Sequence, residues 1–78
     1  MYKVYILECA DKTLYVGSTS DLKRRLVEHN NSKKGAHYTK IRRPVVLVYS
    51  EDMPNLSAAL KREIEIKRWT RIKKMKLV

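Results

Sequence analysis

The chain has 78 residues, and 18 lysines and arginines against 8 aspartates and glutamates give it a formal charge of +10 at pH 7. This length predicts a single domain over residues 1–78, because so short a chain has room for only one small fold. Hydrophobic residues make up 44% of the chain and charged residues 33%, which is typical of a folded domain and excludes a disordered basic tail.

Cysteine content and hydropathy exclude further classes of protein. Cys9 is the one cysteine, so no internal disulfide can form, and no cysteine or histidine pair has zinc-site spacing. The longest apolar run, residues 45–49, is too short to span a membrane, and the first residues do not resemble a secretion signal. We therefore expect a cytoplasmic protein that does not bind membranes.

The positive charge is concentrated in two segments. Residues 20–43 and 55–78 each contain eight basic and two acidic residues, whereas residues 1–19 are neutral and residues 44–54 are acidic. Clustered lysine and arginine residues on a small domain are typical of proteins that bind a polyanion, and nucleic acid is the commonest one. The alternative is a charged surface that serves only solubility.

The first half of the chain predicts a hairpin followed by a helix. Residues 2–9 and 13–18 are rich in β-branched and aromatic residues, and residues 10–12 between them favour a turn. A Ser-Asp pair then provides a helix cap and an acidic first turn, so an amphipathic helix is expected over about residues 20–31.

The second half predicts one strand and two helices. Residues 32–43 have no sustained period and many cations, which indicates a basic loop. The continuous apolar run after Pro44, residues 45–49, favours a strand covered on both faces. A helix from about residue 55 to 69 and a short last helix capped by Thr70 complete an α+β fold. The prediction is a three-stranded, mainly antiparallel sheet flanked by helices, in the order β-β-α-β-α-α.

The register of the hairpin decides where its tyrosines lie. With a three-residue loop, Tyr5 faces Gly17 and Leu7 faces Tyr15, so both phenols share one face and Gly17 leaves space beside Tyr5. The opposite, apolar face then consists of Val4, Ile6, Leu14 and Val16. A two-residue turn would separate the tyrosines, and either way they could simply be strand-forming residues.

The two longer helices carry three further candidate residues. Arg25 and His29 are one turn apart beside an apolar stripe, while Glu28 is expected to point elsewhere. Arg25 suits a phosphate clamp and His29 a proton carrier. The alternative is that both side chains lie at the edge of the helix and reach water. Glu63 lies at the centre of an apolar helical face, so it needs a partner. That partner is either Lys67, one turn on, or Mg²⁺. The apolar face consists of Leu56, Ala59, Leu60, Ile64 and Ile66.

Together these motifs resemble the GIY-YIG nuclease domain over the whole chain. The matching motifs are Val4-Tyr5-Ile6, Tyr15-Val16-Gly17, Arg25-x-x-x-His29 and Ala59-Leu60-x-x-Glu63. Val4 replaces the first glycine of the motif, and no asparagine follows Glu63, where many active members supply one.

The resemblance implies a metal-dependent DNA endonuclease of low sequence specificity, acting in DNA repair or recombination. By that resemblance, Glu63 holds Mg²⁺ or Mn²⁺, and Arg25 binds the scissile phosphate. Tyr5 positions or deprotonates the attacking water, and Tyr15 and His29 complete the site. A phenol with an ordinary pKa of about 10 is a poor base at neutral pH, so the Tyr5 role requires nearby cations or metal.

The two basic segments would hold DNA through its phosphates. Such contacts position the duplex but do not read its sequence. The candidate nucleic-acid contacts are Lys33, Lys34, Lys40, Arg42, Arg43 and Lys67. We expect a monomer or weak dimer, with a protein partner supplying targeting. The alternative function is a non-catalytic nucleic-acid-binding module that keeps this fold, and a third is a basic adaptor for another protein.

Overall fold

A computed structural model describes residues 1–31 and 37–78, and they form an α+β fold as predicted. The elements are β1 (Tyr2–Glu8), β2 (Leu14–Thr19), α1 (Leu22–Asn31), α2 (His37–Lys40), β3 (Val46–Met53), α3 (Leu56–Lys67) and α4 (Arg71–Met75). The expected order is confirmed with one addition. The basic loop predicted at residues 32–43 contains the single-turn helix α2.

The three strands form an antiparallel sheet with β1 in the centre, in the order β2-β1-β3. Tyr5 pairs with Gly17 and Leu7 with Tyr15, so the register predicted for a three-residue loop is confirmed. The Cys9 amide donates to the Thr13 carbonyl at 2.9 Å and closes this loop. Lys12, its last residue, has a φ of 71°, the left-handed conformation that such loops use.

Alternate residues of β1 point into two separate cores, because side chains alternate across a strand. One core lies under α3 and is formed by Val4, Ile6, Val16, Ala59 and Ile66. The other lies under α1 and α2, and is formed by Tyr5, Leu7, Cys9 and Val45 with Leu22, Leu26 and Tyr38 at its border. The face with the phenols is therefore covered by helices, and Tyr5 is fully buried.

The prediction that the third strand is covered on both faces is wrong. Within the described residues, β3 is an edge strand that pairs with β1 alone, and Val46 at its start is 59% exposed. The central strand is instead β1, in which residues 4–7 are all buried. A run of apolar residues cannot distinguish these positions, because strand order depends on which strand lies between the two helical layers.

Capping residues precede α1, α3 and α4, although α1 begins at Leu22 and is capped by Asp21, and not from about residue 20 with Ser20 as the cap. The Asp21 carboxylate accepts from the Arg24 amide at 3.1 Å, and Asn55 accepts from the Ala58 amide at 2.8 Å. Thr70 caps α4 in the same way. Among the described residues, no helix has the length and apolar character that crossing a membrane requires.

The apolar face predicted for α3 is only partly correct. Ala59 and Ile66 are buried against the sheet, but three of the predicted core residues are about half exposed. These three are Leu56, Leu60 and Ile64. The helix packs mainly on β1 and β2, and these three side chains lie towards the border of that contact.

Candidate active site

A chain of hydrogen bonds links Tyr5 on β1 to the two helices that cover it. The Tyr5 Oη lies 2.8 Å from the His29 Nε2, and the His29 Nδ1 lies 2.7 Å from the Thr39 Oγ1. His29 points inward from the last turns of α1, and Thr39 points inward from α2. All three side chains are buried, so water does not compete for these bonds.

Arg25 lies one turn before His29 on α1, at the border of the same cluster. Its guanidinium donates to the Glu28 carboxylate at 3.1 Å and also interacts with the Tyr5 hydroxyl. The expectation that Glu28 points elsewhere is therefore wrong, because its carboxylate is the ion-pair partner of Arg25. The pair holds the guanidinium beside the phenol.

Tyr15 packs against the other rings of the cluster. Its ring centroid lies 5.1 Å from that of His29 and 6.5 Å from that of Tyr5, and these rings share one face of the hairpin. Tyr38 packs on it at 5.9 Å, with the Arg42 guanidinium 3.9 Å from the centroid of the Tyr38 ring. The structure thus brings together four of the five predicted catalytic residues, Tyr5, Tyr15, Arg25 and His29.

Gly17 makes room for the Tyr5 phenol. A Cβ built on Gly17 would lie 2.5 Å from the Tyr5 Oη and 3.1 Å from a ring carbon of Tyr15. No side chain could occupy this position without moving the phenol. The space predicted beside Tyr5 is therefore filled by the tyrosine itself.

Burial controls the protonation of the two central groups. Loss of solvent, followed by the proximity of Tyr15, raises the pKa of Tyr5 to about 12, although Arg25 acts in the opposite direction. Burial and then the Arg25 charge lower the pKa of His29 to about 4. At neutral pH the site therefore contains a protonated phenol and a neutral imidazole.

Glu63 approaches β2 from the opposite face of the sheet. Its Oε1 accepts from the Ser18 hydroxyl at 2.6 Å, and its Oε2 pairs with the Lys67 ammonium at 2.6 Å. Ser18 directly follows Gly17, so Glu63 and Tyr5 reach neighbouring residues of the same strand. Burial is the main cause of the raised pKa of Tyr5, and the Glu63 charge makes a small further contribution.

Glu63 has the donor chemistry for a Mg²⁺ ion, which is a hard cation that needs few protein ligands. Within residues 1–31 and 37–78, no three His, Cys, Asp or Glu side chains cluster as a metal site. The protein would therefore supply one carboxylate, with the Ser18 hydroxyl beside it. The competing Lys67 side chain is 49% exposed and the Glu63 side chain 17%, so the lysine can leave towards solvent.

The predicted nucleic-acid contacts divide into different groups. Arg42 binds the Asp11 carboxylate at 3.0 Å and the Tyr38 carbonyl at 3.1 Å. Arg43 binds main-chain carbonyls near the end of α1, including that of Glu28 at 3.1 Å. Both guanidiniums thus have structural contacts already.

The other four predicted contacts differ from these two. Lys67 pairs with Glu63, whereas Lys40, at the end of α2, has no ion pair with the part of the chain that is described. Lys33 and Lys34 lie outside the described residues. Contact of any of the six with nucleic acid stays a prediction.

Sequence analysis missed three residues that the structure adds to the candidate site on the two faces of the sheet. These are Ser18, Tyr38 and Thr39. Ser18 could have been found, because it follows the Tyr-Val-Gly motif and shares a face with Val4. Tyr38 and Thr39 lie in a segment without periodicity, so nothing in the sequence indicated that they face His29 and Tyr15.

Comparison with known proteins identifies the family of this chain. Residues 1–76 match the sequence profile of the GIY-YIG catalytic domain. A UPF0213 protein from Syntrophus aciditrophicus is 56% identical over 75 residues, which cover 96% of this chain and 86% of that protein. A UPF0213 protein from Staphylococcus saprophyticus is 53% identical, with 96% and 90% covered.

Solved structures agree with these sequence relationships. The solution NMR structure of a UPF0213 protein from Bacillus halodurans aligns with a TM-score of 0.61 at 44% identity, covering 99% of this chain and 82% of that one. A protein from E. faecalis, also solved by NMR, aligns with a TM-score of 0.64 at 39% identity, covering 97% and 81%. The chain therefore belongs to the GIY-YIG family.

Proposed function

We propose that this protein is a metal-dependent DNA endonuclease that hydrolyses phosphodiester bonds with low sequence specificity. Membership of a family defined by a nuclease-type catalytic domain supports this class of activity. The observation that carries the proposal is the approach of Tyr5 and Glu63 to adjacent residues of β2 from opposite faces of the sheet. A phosphate bound at this edge would meet the phenol, the Arg25 guanidinium and the carboxylate together.

Each group has a role that its surroundings favour. Arg25 binds the scissile phosphate, because a guanidinium fits phosphate oxygens and is held in place by Glu28. Tyr5 is buried in the free protein and orients the attacking water once DNA binding admits it. Its pKa of about 12 keeps the phenol protonated until then. His29 fixes the Tyr5 hydroxyl, and Tyr15 packs against both rings.

Glu63 would hold Mg²⁺ or Mn²⁺ after Lys67 moves away. A bound divalent cation offsets the negative charge that develops on phosphate oxygens and on the leaving group. Ser18 then keeps the carboxylate oriented through the hydroxyl bond to Oε1. The residues fit this use because they provide oxygen donors only.

DNA is the proposed partner, bound mainly through its phosphates and with a steep dependence on salt. The net charge of +10 supports this assignment. We extend the proposal to a role in DNA repair or recombination. The protein would act in the cytoplasm as a monomer or weak dimer. A protein partner would supply targeting, because phosphate contacts do not specify sequence.

A cleavage assay with matched variants tests the proposal. Purified protein is incubated with branched, flapped and linear DNA and with Mg²⁺ or Mn²⁺. We expect Glu63→Gln and Arg25→Ala to lower the cleavage rate by about a hundredfold or more. The controls are Glu65→Gln on α3 and Arg24→Ala on α1, both at more exposed positions, and they should cut like the wild type. Equal cleavage by all five proteins would refute the assigned roles.

One observation favours the alternative, a nucleic-acid-binding module without catalysis. Both Glu63 oxygens already have partners, Ser18 and Lys67, so the carboxylate is satisfied without metal. This alternative predicts salt-sensitive DNA binding and no metal-dependent cutting. An adaptor for another protein would instead show negligible DNA affinity at about 0.1 M salt.

A further inference from the structure

Thr39 is a buried polar residue to which the proposed mechanism gives no role. It lies in α2, far from His29 in the sequence, and its hydroxyl oxygen is 2.7 Å from the His29 Nδ1. The other ring nitrogen, Nε2, is 2.8 Å from the Tyr5 hydroxyl. Thr39 and His29 are completely buried. The bond therefore connects a residue without an assigned role to the imidazole that contacts the phenol.

A neutral imidazole can satisfy these two contacts in two ways. It carries one proton, either on Nδ1 or on Nε2. With the proton on Nδ1, His29 donates to Thr39, and Nε2 accepts from the Tyr5 hydroxyl. With the proton on Nε2, His29 donates to the Tyr5 oxygen, and the Thr39 hydroxyl donates to Nδ1. The contacts alone permit both arrangements.

Chemistry favours the first arrangement. A phenol is a much stronger acid than an imidazole N–H group, and the bare imidazole nitrogen is a much stronger base than a phenol oxygen. Tyr5 also interacts with the Arg25 guanidinium, which can only donate. In the second arrangement the phenol proton would lack an acceptor among the described contacts of a side chain that is 1% exposed. Such a buried donor is costly.

We propose that Thr39 is a positioning residue that holds His29 in the tautomer with its proton on Nδ1, so that Nε2 accepts the Tyr5 hydroxyl. This tautomer fixes the direction of the phenol hydrogen bond. It leaves the lone pairs of the Tyr5 oxygen for Arg25 and, once DNA binding admits it, for the attacking water. The consequence for catalysis rests on the proposed nuclease function, whereas the tautomer is a property of the free protein.

The tautomer is measured directly by NMR on the ¹⁵N-labelled protein without DNA. Long-range correlations between ring protons and ring nitrogens at pH 7 show which nitrogen of His29 carries the proton. The exposed His37 is the second histidine, and His37→Gln assigns the signals. We expect the proton on Nδ1 in the wild type and in Thr39→Ser. In Thr39→Val, which has nearly the same shape but no hydroxyl, the preference for Nδ1 should be lost.

Two results would overturn the inference. One is a wild-type His29 with its proton on Nε2, and the other is a folded Thr39→Val whose His29 signals match those of the wild type. If Thr39→Val does not fold, the wild-type and Thr39→Ser spectra decide, because both must show the proton on Nδ1.

Cleavage kinetics provide the functional readout. We expect Thr39→Val to lower kcat about tenfold with KM for DNA unchanged, and Thr39→Ser to restore the rate. A changed KM, or a fall in kcat that Thr39→Ser shares with Thr39→Val, would contradict a role for the hydroxyl. A wild type that cuts no DNA would refute the nuclease function, while the imidazole spectrum would still decide the role of Thr39.

Discussion

Tyr5 and Gly17 face each other across the two strands of the hairpin, and the Tyr5 phenol lies so close to Gly17 that no side chain fits there. A Cβ there would lie 2.5 Å from the phenol oxygen and 2.7 Å from the ring carbon that carries it. Gly17 does not have a positive φ, so glycine is needed here for space and not for backbone conformation. The glycine of the Tyr15-Val16-Gly17 motif is thus needed because no side chain fits beside the Tyr5 phenol.

Gly17→Ala should therefore destabilise the protein, although alanine normally suits a strand at least as well as glycine. We expect a loss of about 1–3 kcal/mol in the free energy of unfolding, because the buried phenol must move. Urea denaturation measures the loss. Adding Tyr5→Phe, which removes the closest atom, should recover part of it. A Gly17→Ala variant as stable as the wild type would show that the phenol is not held there.

The ion pair between Glu63 and Lys67 should weaken metal binding. Lys67→Met removes the competing cation, so we expect Mn²⁺ to bind about threefold to tenfold more tightly. Glu63→Gln should abolish binding at this site. Water-proton relaxation in a Mn²⁺ titration measures both effects, and Lys61→Met on the same helix is the control. Unchanged Mn²⁺ affinity in Glu63→Gln would exclude this carboxylate as the ligand.

His29 should make stability depend on pH. Its pKa is about 4 in the folded protein and about 6.5 when exposed, so the unfolded chain binds the extra proton first. The free energy of unfolding therefore has its full value above pH 6.5, where His29 is neutral in both states. It falls by about 3 kcal/mol in total as the pH drops towards 4. The polar and charged groups around the imidazole are Tyr5, Tyr15, Thr39, Arg25, Glu28 and Arg43.

Urea denaturation between pH 7 and pH 4 tests this dependence, with His29→Gln beside the wild type. The difference in unfolding free energy between the two proteins should shrink as pH falls. His37→Gln should keep the wild-type dependence, because that histidine is exposed. A constant difference between wild type and His29→Gln would contradict the lowered pKa, as would an NMR titration of His29 near pH 6.5.

The cations of the first basic segment should separate into two groups on mutation. Arg43→Ala removes the donor to carbonyls near the end of α1, so we expect a loss of about 1–2 kcal/mol in stability. Lys40→Ala should leave stability unchanged and reduce the salt dependence of DNA binding by nearly one counterion. Urea denaturation and affinities at several salt concentrations measure these effects. Equal stability of the two variants would contradict the distinction.

Local signals in the sequence were sufficient for the hairpin and for the starts of α3 and α4, whereas the start of α1 lies later than predicted. The register follows from a three-residue loop and the alternation of side chains, and the caps depend on neighbouring residues only. These features place Tyr5, Tyr15 and Gly17 correctly. Arg25 and His29 also follow from local information, because one helical turn separates them.

Features that depend on contacts between distant segments could not be predicted in this way. The position of β3 at the edge depends on how two helical layers cover β1, which no apolar run encodes. Which residues of α3 are half exposed depends on how the helix is placed on the sheet, and this is also a contact between distant segments. Thr39 reaches His29 only because α2 folds back over the hairpin. The sequence analysis found Glu63 because a carboxylate interrupts an apolar pattern, although three of the five apolar residues in that pattern are about half exposed.

The division of β1 between two cores also constrains how this chain can vary in length. Inserting or deleting one residue within β1 would exchange the two sets of side chains beyond that point. Tyr5 would then turn towards α3, and an aliphatic residue would take its place beside His29. Natural variants should therefore differ in length within the connecting turns, while the central strand tolerates substitutions far better than a change in its number of residues.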